Sequence, residues 1–349
     1  DTWDIENITF DISGGEGEIL AKEISREPLL VRNVLFRGEV DGSFSKLQVD
    51  RALINFYGPI AEISGEVIRI DSSIKMKLNG RLAAVAVNRV ADFWPESLAS
   101  NSRKWIIRNV RDGIIDTATF SLNALSDLDD IEDISISKAQ GELELREAYI
   151  HYLRPMKPLK ISKSKAYYDG EKLVFDIDGG SVGNIEIVSG QLKIDDLRIG
   201  SGKQSLSIEA TILGPVDETI SILDNDLLNF VSSTGIKLGE TTGFHKTKIQ
   251  LGFPLINDLS LEDIRFTSSS QLKDIKSNLG FFNLNMYNSD IVVNVDKKSL
   301  KAKGKGLIEG IPVNFIWKEN FLKGVTLRSS YGIDAIIDEE IRKKIGFQL

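Results

Sequence analysis

Few residues in the chain have the side chains that catalysis or metal binding requires. There is no cysteine, which excludes disulfides and thiolate metal sites. The two histidines are His151, which lies between Tyr149 and Tyr152, and His245 in the segment "GFHKTKIQ". A histidine metal centre or a Ser-His-Asp arrangement needs further ligands or a nucleophile, and the sequence pairs neither histidine with them. We therefore predict that the chain is not an enzyme.

One segment has some features of a phosphate-binding loop. In "GSGKQS" (200–205), Leu197 occupies the place of the first P-loop glycine, and Gln204 occupies the place of the hydroxyl residue. Both positions matter, because the glycine lets the backbone approach the phosphates and the hydroxyl binds the magnesium ion. We predict a turn between strands and no nucleotide cofactor.

Two acidic segments are candidates for binding cations. In "DIDGGSVGN" (176–184), the twelfth position from Asp176 is Ile187, whereas a calcium loop has glutamate there. The run "SDLDDIED" (126–133) has no fixed ligand spacing, so a solvated linker is favoured over its alternative, a divalent-cation site. We predict a hairpin turn and a linker, with no metal bound.

The charge balance bears on the class of partner. The formal net charge is −8, and no long basic run interrupts the sequence, so we predict no nucleic-acid partner. No apolar run approaches the roughly 20 residues of a membrane-spanning helix. Because the first residue is Asp1 rather than methionine, we expect a processed or excised segment, with any signal or anchor outside it.

The elements that must carry any function are strands, because apolar residues recur with period two. Turn residues such as Gly, Asn and Asp bound these segments about every 8–12 residues, as in all-β proteins. The alternating segments include "KMKLNG", "GELEL", "EKLVFDIDG", "NIEIVSGQLKIDDLRIG", "SLSIEATILG", "TKIQLGF" and "IVVNVDKKSL". They predict antiparallel strands with one apolar face each.

Three segments have helical rather than alternating spacing. One follows Pro95 and contains Trp105, a second follows Pro215 near 216–231, and a third lies at 334–345. No strand–helix–strand alternation is present, so Rossmann, TIM-barrel and P-loop folds are excluded. With so few helices, the apolar strand faces must either stack as sandwiches or curl so that they line a groove filled by a ligand. Periodicity alone leaves both open.

The stretch "FWPESLASNSRKWIIRNVRDGIIDTATFSLNA" and two later segments carry a family resemblance. Phe93-Trp94-Pro95, then Arg103-Lys104-Trp105, then the strand led by Gly113, resemble a hallmark of the AsmA-like superfamily, especially its YhdP/TamB-type envelope proteins. The segments "GFHKTKIQLGFPLINDLSLEDIRF" and "KAKGKGLIEGIPVNFIWKENF" are similar to later strands of that family. The similarity covers nearly the whole chain.

The resemblance implies an all-β fold with a few short helices, in which an elongated, twisted antiparallel sheet curls into a hydrophobic groove, as in chorein-type proteins. Segments 1–120 and 121–349 would each form part of this groove in one continuous unit. It also implies phospholipid transport between the inner and outer membranes of a Gram-negative envelope, in the periplasm, with an inner-membrane anchor outside this chain. The alternative is a scaffold or chaperone for outer-membrane protein assembly, with envelope proteins as partners.

From the alternation we expect acyl chains to contact one apolar face, whose inward direction we infer from alternation alone. Its predicted lining residues are Leu143, Leu145, Ile185, Ile187, Leu192, Ile194, Leu206, Ile208, Ile249, Leu251, Leu284, Met286, Val293 and Val295. Trp94, Pro95 and Trp105 are predicted to be structural residues, and Trp105 is expected to be buried as an anchor of its helix. The alternative for the two tryptophans is a platform that binds a sugar or a partner.

Overall fold

A computed structural model describes the protein for residues 5–20, 28–94, 100–129, 134–152, 154, 156–197, 203–224, 239–256, 258–260, 262–279, 284–322, 324–337, 339 and 342. Its strands are β1 (Asn7–Gly14), β2 (Gly17–Ile19), β3 (Leu29–Val31), β4 (Asn33–Asp41), β5 (Lys46–Asn55), β6 (Ile60–Ile70), β7 (Ser73–Ala86), β8 (Val110–Arg111), β9 (Ile114–Asp127), β10 (Ile134–Ile150), β11 (Leu159–Tyr168), β12 (Leu173–Val182), β13 (Ile185–Asp195), β14 (Ser205–Pro215), β15 (Thr241–Pro254), β16 (Arg265–Leu279), β17 (Leu284–Asp296), β18 (Ser299–Ile308), β19 (Ile311–Asn320) and β20 (Ser329–Ala335). The helices are a 3-10 helix (Val87–Phe93), α1 (Ser100–Asn109) and α2 (Val216–Leu223).

The predicted fold class is confirmed. Among the residues that the structure describes, 70% lie in strands and three helices are short, and the main sheet is a large antiparallel one of 18 strands. Strands pair mostly with their neighbours along the chain, because short polar turns join them and favour antiparallel hairpins.

The chain divides into two compact units. Unit 1 comprises Asp1–Arg154, Pro158–Ile177 and Lys193–Gly200, and unit 2 comprises Pro155–Lys157, Asp178–Leu192 and Ser201–Leu349. In unit 1 the strands pair in the order β1, β4, β5, β6, β7, β9, β10 and β11. In unit 2 they pair in chain order from β14 to β20.

Several long strands change phase partway along their length. Ala84 in β7, Glu147 in β10, Asp274 in β16 and Asn288 in β17 have φ values of 58°, 56°, 55° and 46°. The pairing skips each of these residues, for example between Tyr287–Leu307 and Asp290–Lys305. Beyond a skipped residue, the odd-numbered and even-numbered side chains exchange sides of the sheet.

The buried core of each unit lies beside these phase changes, where a helix packs on the sheet. In unit 1, the 3-10 helix and α1 pack on a cluster whose buried members are Val85, Val87, Val90, Ile115, Leu145 and Ala148. In unit 2, α2 contributes Val216, which packs with Ile275, Met286, Ile291 and Ala302. A third cluster packs the small β2–β3 hairpin, through Leu29 and Val31, against Phe56.

Two of the predicted helical segments contain a helix, and the third begins in the wrong place. Helix α1 covers Ser100–Asn109, and α2 starts at Val216 directly after Pro215 and ends at Leu223. The rest of the second predicted segment, from 225 to 231, lies outside the described residues. Asp217 and Glu218 in the first turn of α2 complement the helix dipole. The helix predicted at 334–345 is wrong at its start, because Asp334 and Ala335 still pair with β19. Most of its remaining positions lie outside the described residues.

The expectation that Trp105 is buried is wrong. Its side chain is 47% exposed, because α1 presents the next residue, Ile106, to the core instead. Trp94 does contact that core, half-buried, while its carbonyl accepts a hydrogen bond from Arg103 at 2.8 Å. Pro95 lies outside the described residues. Among the helices that the structure describes, none has the length and hydropathy to span a membrane.

Candidate functional site

The main candidate site in unit 1 is one face of its sheet, which we call apolar face 1. Directly paired residues of neighbouring strands point to the same side, so the strand registers define rows across the sheet. Four successive rows cross the sheet without a charged side chain, two of them over seven strands and two over eight. They are Ile8–Val40–Leu47–Val67–Met76–Ala124–Ile136, Phe10–Gly38–Val49–Gly65–Leu78–Leu122–Ala139, Ile12–Phe36–Ala52–Ile63–Gly80–Phe120–Gly141–Tyr168 and Gly14–Val34–Ile54–Ala61–Leu82–Ala118–Leu143–Ala166.

Apolar face 1 is as large as the largest apolar patches on soluble monomers. At about 4.8 Å between strands and about 6.8 Å between rows, the first three rows measure roughly 34 Å by 14 Å, or about 460 Å². The largest apolar patch on a soluble monomer is usually about 300–600 Å², and such patches are often functional. The size of the face therefore makes it a candidate for binding a ligand or a partner.

Most of apolar face 1 is open, and one margin of it is covered. The fourth row packs against the β2–β3 hairpin and the helices, through Val34, Ala61, Leu82 and Leu143 among others. In the other rows, Ile8, Ile12, Ile63, Phe120 and Ile136 are 39%, 58%, 37%, 41% and 45% exposed. The covered row closes one side, and the remaining rows offer apolar surface to an occupant.

Two large side chains compensate for glycines within apolar face 1. The ring of Phe120 covers Gly80, where an added Cβ would lie 2.2 Å from two ring carbons. Phe10 likewise covers Gly38, with an added Cβ 2.8 Å from its Cζ. Because the ring occupies the space above the glycine, the floor of the face stays filled although the glycines have no side chain.

The opposite face of unit 1 is charged and well paired. Lys77 and Glu66 lie 2.8 Å apart, Lys165 and Glu144 2.6 Å apart. The ammonium groups of these lysines lower the pKa of both carboxyls. Opposite charges on neighbouring strands make this a solvated face, so the two sides of the sheet differ sharply in polarity.

Unit 2 has a similar face, apolar face 2, with more polar side chains in its rows. The registers give the rows Ile208–Leu251–Phe266, Ala210–Ile249–Ser268–Val295–Leu300–Glu319–Ser329, Ile212–Thr247–Ser270–Val293–Ala302–Trp317–Tyr331 and Gly214–His245–Leu272–Ile291–Gly304–Phe315–Ile333. Helix α2 covers part of it, and Ile333 at its outer strand is 63% exposed. Glu319 is the one charged residue in these rows; it is 7% exposed and accepts a hydrogen bond from the Trp317 indole at 3.1 Å.

A chain of hydrogen bonds ties α2 to apolar face 2 through His245. The Nε2 atom lies 2.6 Å from the hydroxyl of Thr219 on α2, and Nδ1 lies 2.8 Å from the hydroxyl of Thr247. Thr247 in turn donates to Ser270 at 2.9 Å. His245 is 5% exposed, and its burial lowers the pKa of the imidazole. These bonds satisfy both ring nitrogens, so the arrangement fits a structural contact.

The predicted lining residues fall into two groups. Three are buried beneath other elements: Leu145 in the core under the helices of unit 1, Met286 in the core under α2, and Ile185, which is 5% exposed. The other eleven are half-buried, and they are Leu143, Ile187, Leu192, Ile194, Leu206, Ile208, Ile249, Leu251, Leu284, Val293 and Val295. Of these, Ile208, Ile249, Leu251, Val293 and Val295 share apolar face 2, and Leu143 lies at the covered margin of apolar face 1.

The sequence alone did not predict most of apolar face 1 as a site. The alternation at Met76 and Leu78 was visible, but several rows contain glycine and alanine, which carry little apolar signal. Only the register shows that these small residues lie beside Phe10, Phe36 and Phe120 on one surface.

The other sequence candidates are the acidic and glycine-rich segments. No group of three or more His, Asp and Glu residues with metal-binding geometry occurs in the described part of the chain. The segment that partly matches a calcium loop forms the end of a strand and a turn. Gly179 and Ser181 lie within β12, and Val182 ends that strand before a turn to β13. Parts of the runs at 126–133 and 200–205 lie outside the described residues.

Comparison of the chain with family models, with curated proteins and with solved structures finds no match in any of the three.

Proposed function

We propose that this chain binds the acyl chains of phospholipids on its open apolar faces and transports lipid without catalysing a reaction. The observation that carries the proposal is apolar face 1, whose four uncharged rows each cross seven or eight strands and of which three rows stay open. Transport between the two membranes of a Gram-negative envelope, in the periplasm, is the setting suggested by the sequence resemblance.

The physical chemistry of the face suits a flexible alkyl chain. Removing one CH₂ group from water is favourable by about 0.8 kcal/mol, so ten buried groups would contribute about 8 kcal/mol before ordering costs. Aliphatic and small side chains alternate along the rows, and no buried polar group demands a specific partner there. Because no position holds the chain by a directional bond, a lipid is able to shift along the face.

The polarity of the sheet also suits an amphiphile. Acyl chains contact apolar face 1, while the charged headgroup stays in water beyond the edge of the apolar rows. The opposite face, with ion pairs such as Arg51–Glu62 at 2.7 Å, offers acyl chains no comparable surface. Apolar face 2 is a weaker site on this argument, because Thr247, Ser268 and Ser270 interrupt it.

The test compares two substitutions at neighbouring positions of β9. Leu122→Glu places a carboxylate in the middle of apolar face 1, whereas Asn123→Glu places it on the opposite face between Lys77 and Lys138. Delipidated protein is mixed with vesicles containing a fluorescent phospholipid, and the lipid retained by the re-isolated protein is measured. We expect uptake by the parent and by the Asn123 variant, and loss of uptake in the Leu122 variant at an unchanged melting temperature.

Two results would overturn the proposal. One is a parent protein that takes up no lipid and carries none on organic extraction. The other is a photo-crosslinker at Leu78 that captures polypeptide rather than lipid, which would favour a scaffold or chaperone in outer-membrane protein assembly.

A further inference from the structure

The polar face of unit 2 contains a stripe of lysines that the sequence does not reveal. Two neighbouring rows on the side opposite apolar face 2 cross seven strands, from β14 to β20. The rows are Thr211–Lys248–Ser269–Asn294–Lys301–Lys318–Ser330 and Leu213–Lys246–Gln271–Val292–Lys303–Ile316–Gly332. We call the five lysines of these rows, Lys246, Lys248, Lys301, Lys303 and Lys318, the lysine stripe.

The lysine stripe keeps an excess of positive charge although carboxylates flank it. One adjoining row on the same face contains Glu209 and Asp296, and the other contains Asp290, Lys305 and Asp334. The two rows of the stripe contain five lysines and no carboxylate, in a chain whose net charge is −8. All five side chains are exposed, and none makes an ion pair within the part of the chain that the structure describes. On the polar face of unit 1, by contrast, Lys77 and Lys165 are paired with Glu66 and Glu144.

Two lysines of the stripe lie directly opposite each other. Lys301 of β18 pairs with Lys318 of β19, and Lys303 is the next residue on the same side of β18. Like charges in direct cross-strand positions destabilise a sheet, and an external anion removes that repulsion. With about 4.8 Å between strands, the five lysines extend from β15 to β19 over about 19 Å, which suits an extended anionic surface better than a single small anion.

Exposed aliphatic side chains lie among the lysines. Val292 and Ile316 are the direct cross-strand neighbours of Lys303, and they are 47% and 38% exposed. Basic side chains mixed with exposed apolar ones favour the interface of an anionic bilayer, where the charges meet headgroups and the apolar groups enter the acyl boundary. A nucleic acid would instead be favoured by aromatic or arginine side chains that stack on bases, and the stripe has none.

We propose that the lysine stripe docks unit 2 on the surface of a bilayer containing anionic phospholipid. The docking surface is the face opposite apolar face 2, so it does not depend on what the apolar faces bind. The contact with the bilayer is mainly electrostatic. The side chains of Val292 and Ile316, on either side of Lys303, also enter the bilayer surface to a shallow depth.

Vesicle sedimentation with the whole chain tests this proposal. The probes are vesicles of phosphatidylcholine alone and vesicles with about 30% phosphatidylglycerol, each in about 50 mM and about 500 mM salt. The variant is Lys301→Gln with Lys303→Gln and Lys318→Gln. Its control is Lys75→Gln with Lys138→Gln and Lys163→Gln, which removes the same charge from exposed positions of unit 1.

We expect the parent to bind anionic vesicles at low salt only, and to bind neutral vesicles weakly. Each lysine removed from the stripe should lower the partition coefficient about fivefold, so the triple variant should bind about 100-fold more weakly, while the control stays within about threefold of the parent. Phospholipid uptake by the triple variant should be unchanged, which separates this proposal from that for apolar face 1. Equal loss in variant and control, no preference for anionic vesicles, or tighter binding to single-stranded DNA than to the vesicles would overturn it.

Discussion

The most direct test of an uncovered apolar face is to shorten the same kind of side chain in two places. Ile161 in β11 is fully buried, with 0% of its surface exposed, whereas Ile63 on apolar face 1 is 37% exposed. Ile161→Ala removes three carbons from a packed interior and leaves a cavity, so we expect it to lower the free energy of unfolding by about 3 kcal/mol. Ile63→Ala removes atoms that already contact water, so we expect a loss of about 1 kcal/mol or less.

The assay must report on unit 1 alone, because a chain with two units need not unfold in one step. Trp94 packs against the core of unit 1, and Trp317 lies in unit 2. A background in which Trp3, Trp105 and Trp317 are replaced by Phe makes Trp94 the sole tryptophan reporter during urea unfolding of delipidated protein. Equal losses of about 3 kcal/mol for both variants would refute the reasoning, since they would show that another layer covers apolar face 1 in solution.

Three further predictions concern single residues. Burial lowers the pKa of His245 below its unfolded value, so the folded protein binds fewer protons than the unfolded protein. Unit 2 should therefore lose stability as the pH falls below about 6.5. His245→Phe should abolish this pH dependence in urea titrations followed by Trp317 fluorescence. Gly80→Val should destabilise unit 1 by about 1–3 kcal/mol, because the new side chain displaces the Phe120 ring. Gly332→Ala is the control and should leave the urea midpoint unchanged, because no atom lies within 4 Å of the added carbon. Trp105→Ala should cost less than about 1 kcal/mol by thermal melting, and a loss of 3 kcal/mol or more would show that Trp105 is buried in solution.

The sequence predicted the kind of fold because period two is a local signal. Segments such as "SLSIEATILG" alternate cleanly, and β14 places Leu206, Ile208 and Ala210 on one side as the alternation indicates. The starts of α1 and α2 were also visible, from proline and from the spacing of apolar residues. At the third helical segment, helical spacing in the sequence competed with pairing to β19, and the pairing extends the strand to Ala335.

The site was less predictable, because it depends on register. In β17, Leu284 and Met286 have even numbers, whereas Val293 and Val295 have odd numbers. The positive φ of Asn288 between the two pairs places all four side chains on the same side of the sheet. Nothing in the local sequence marks that residue, since asparagine is common in turns and strand ends alike. Apolar face 1 and the lysine stripe combine residues from strands far apart in the chain, so no sequence window contains them.

The phase changes have a consequence for how these strands tolerate changes of length. Removing Asn288 alone would restore a regular pleat in β17 and turn Ile291 and Val293 toward the lysine side, with Val292 turned toward the core. A one-residue deletion there moves every side chain of half the strand to the opposite face, whereas a substitution alters a single side chain. We therefore expect natural or engineered variants to gain and lose residues at the turns, such as Gly310, or as whole hairpins, and to keep strand interiors at constant length.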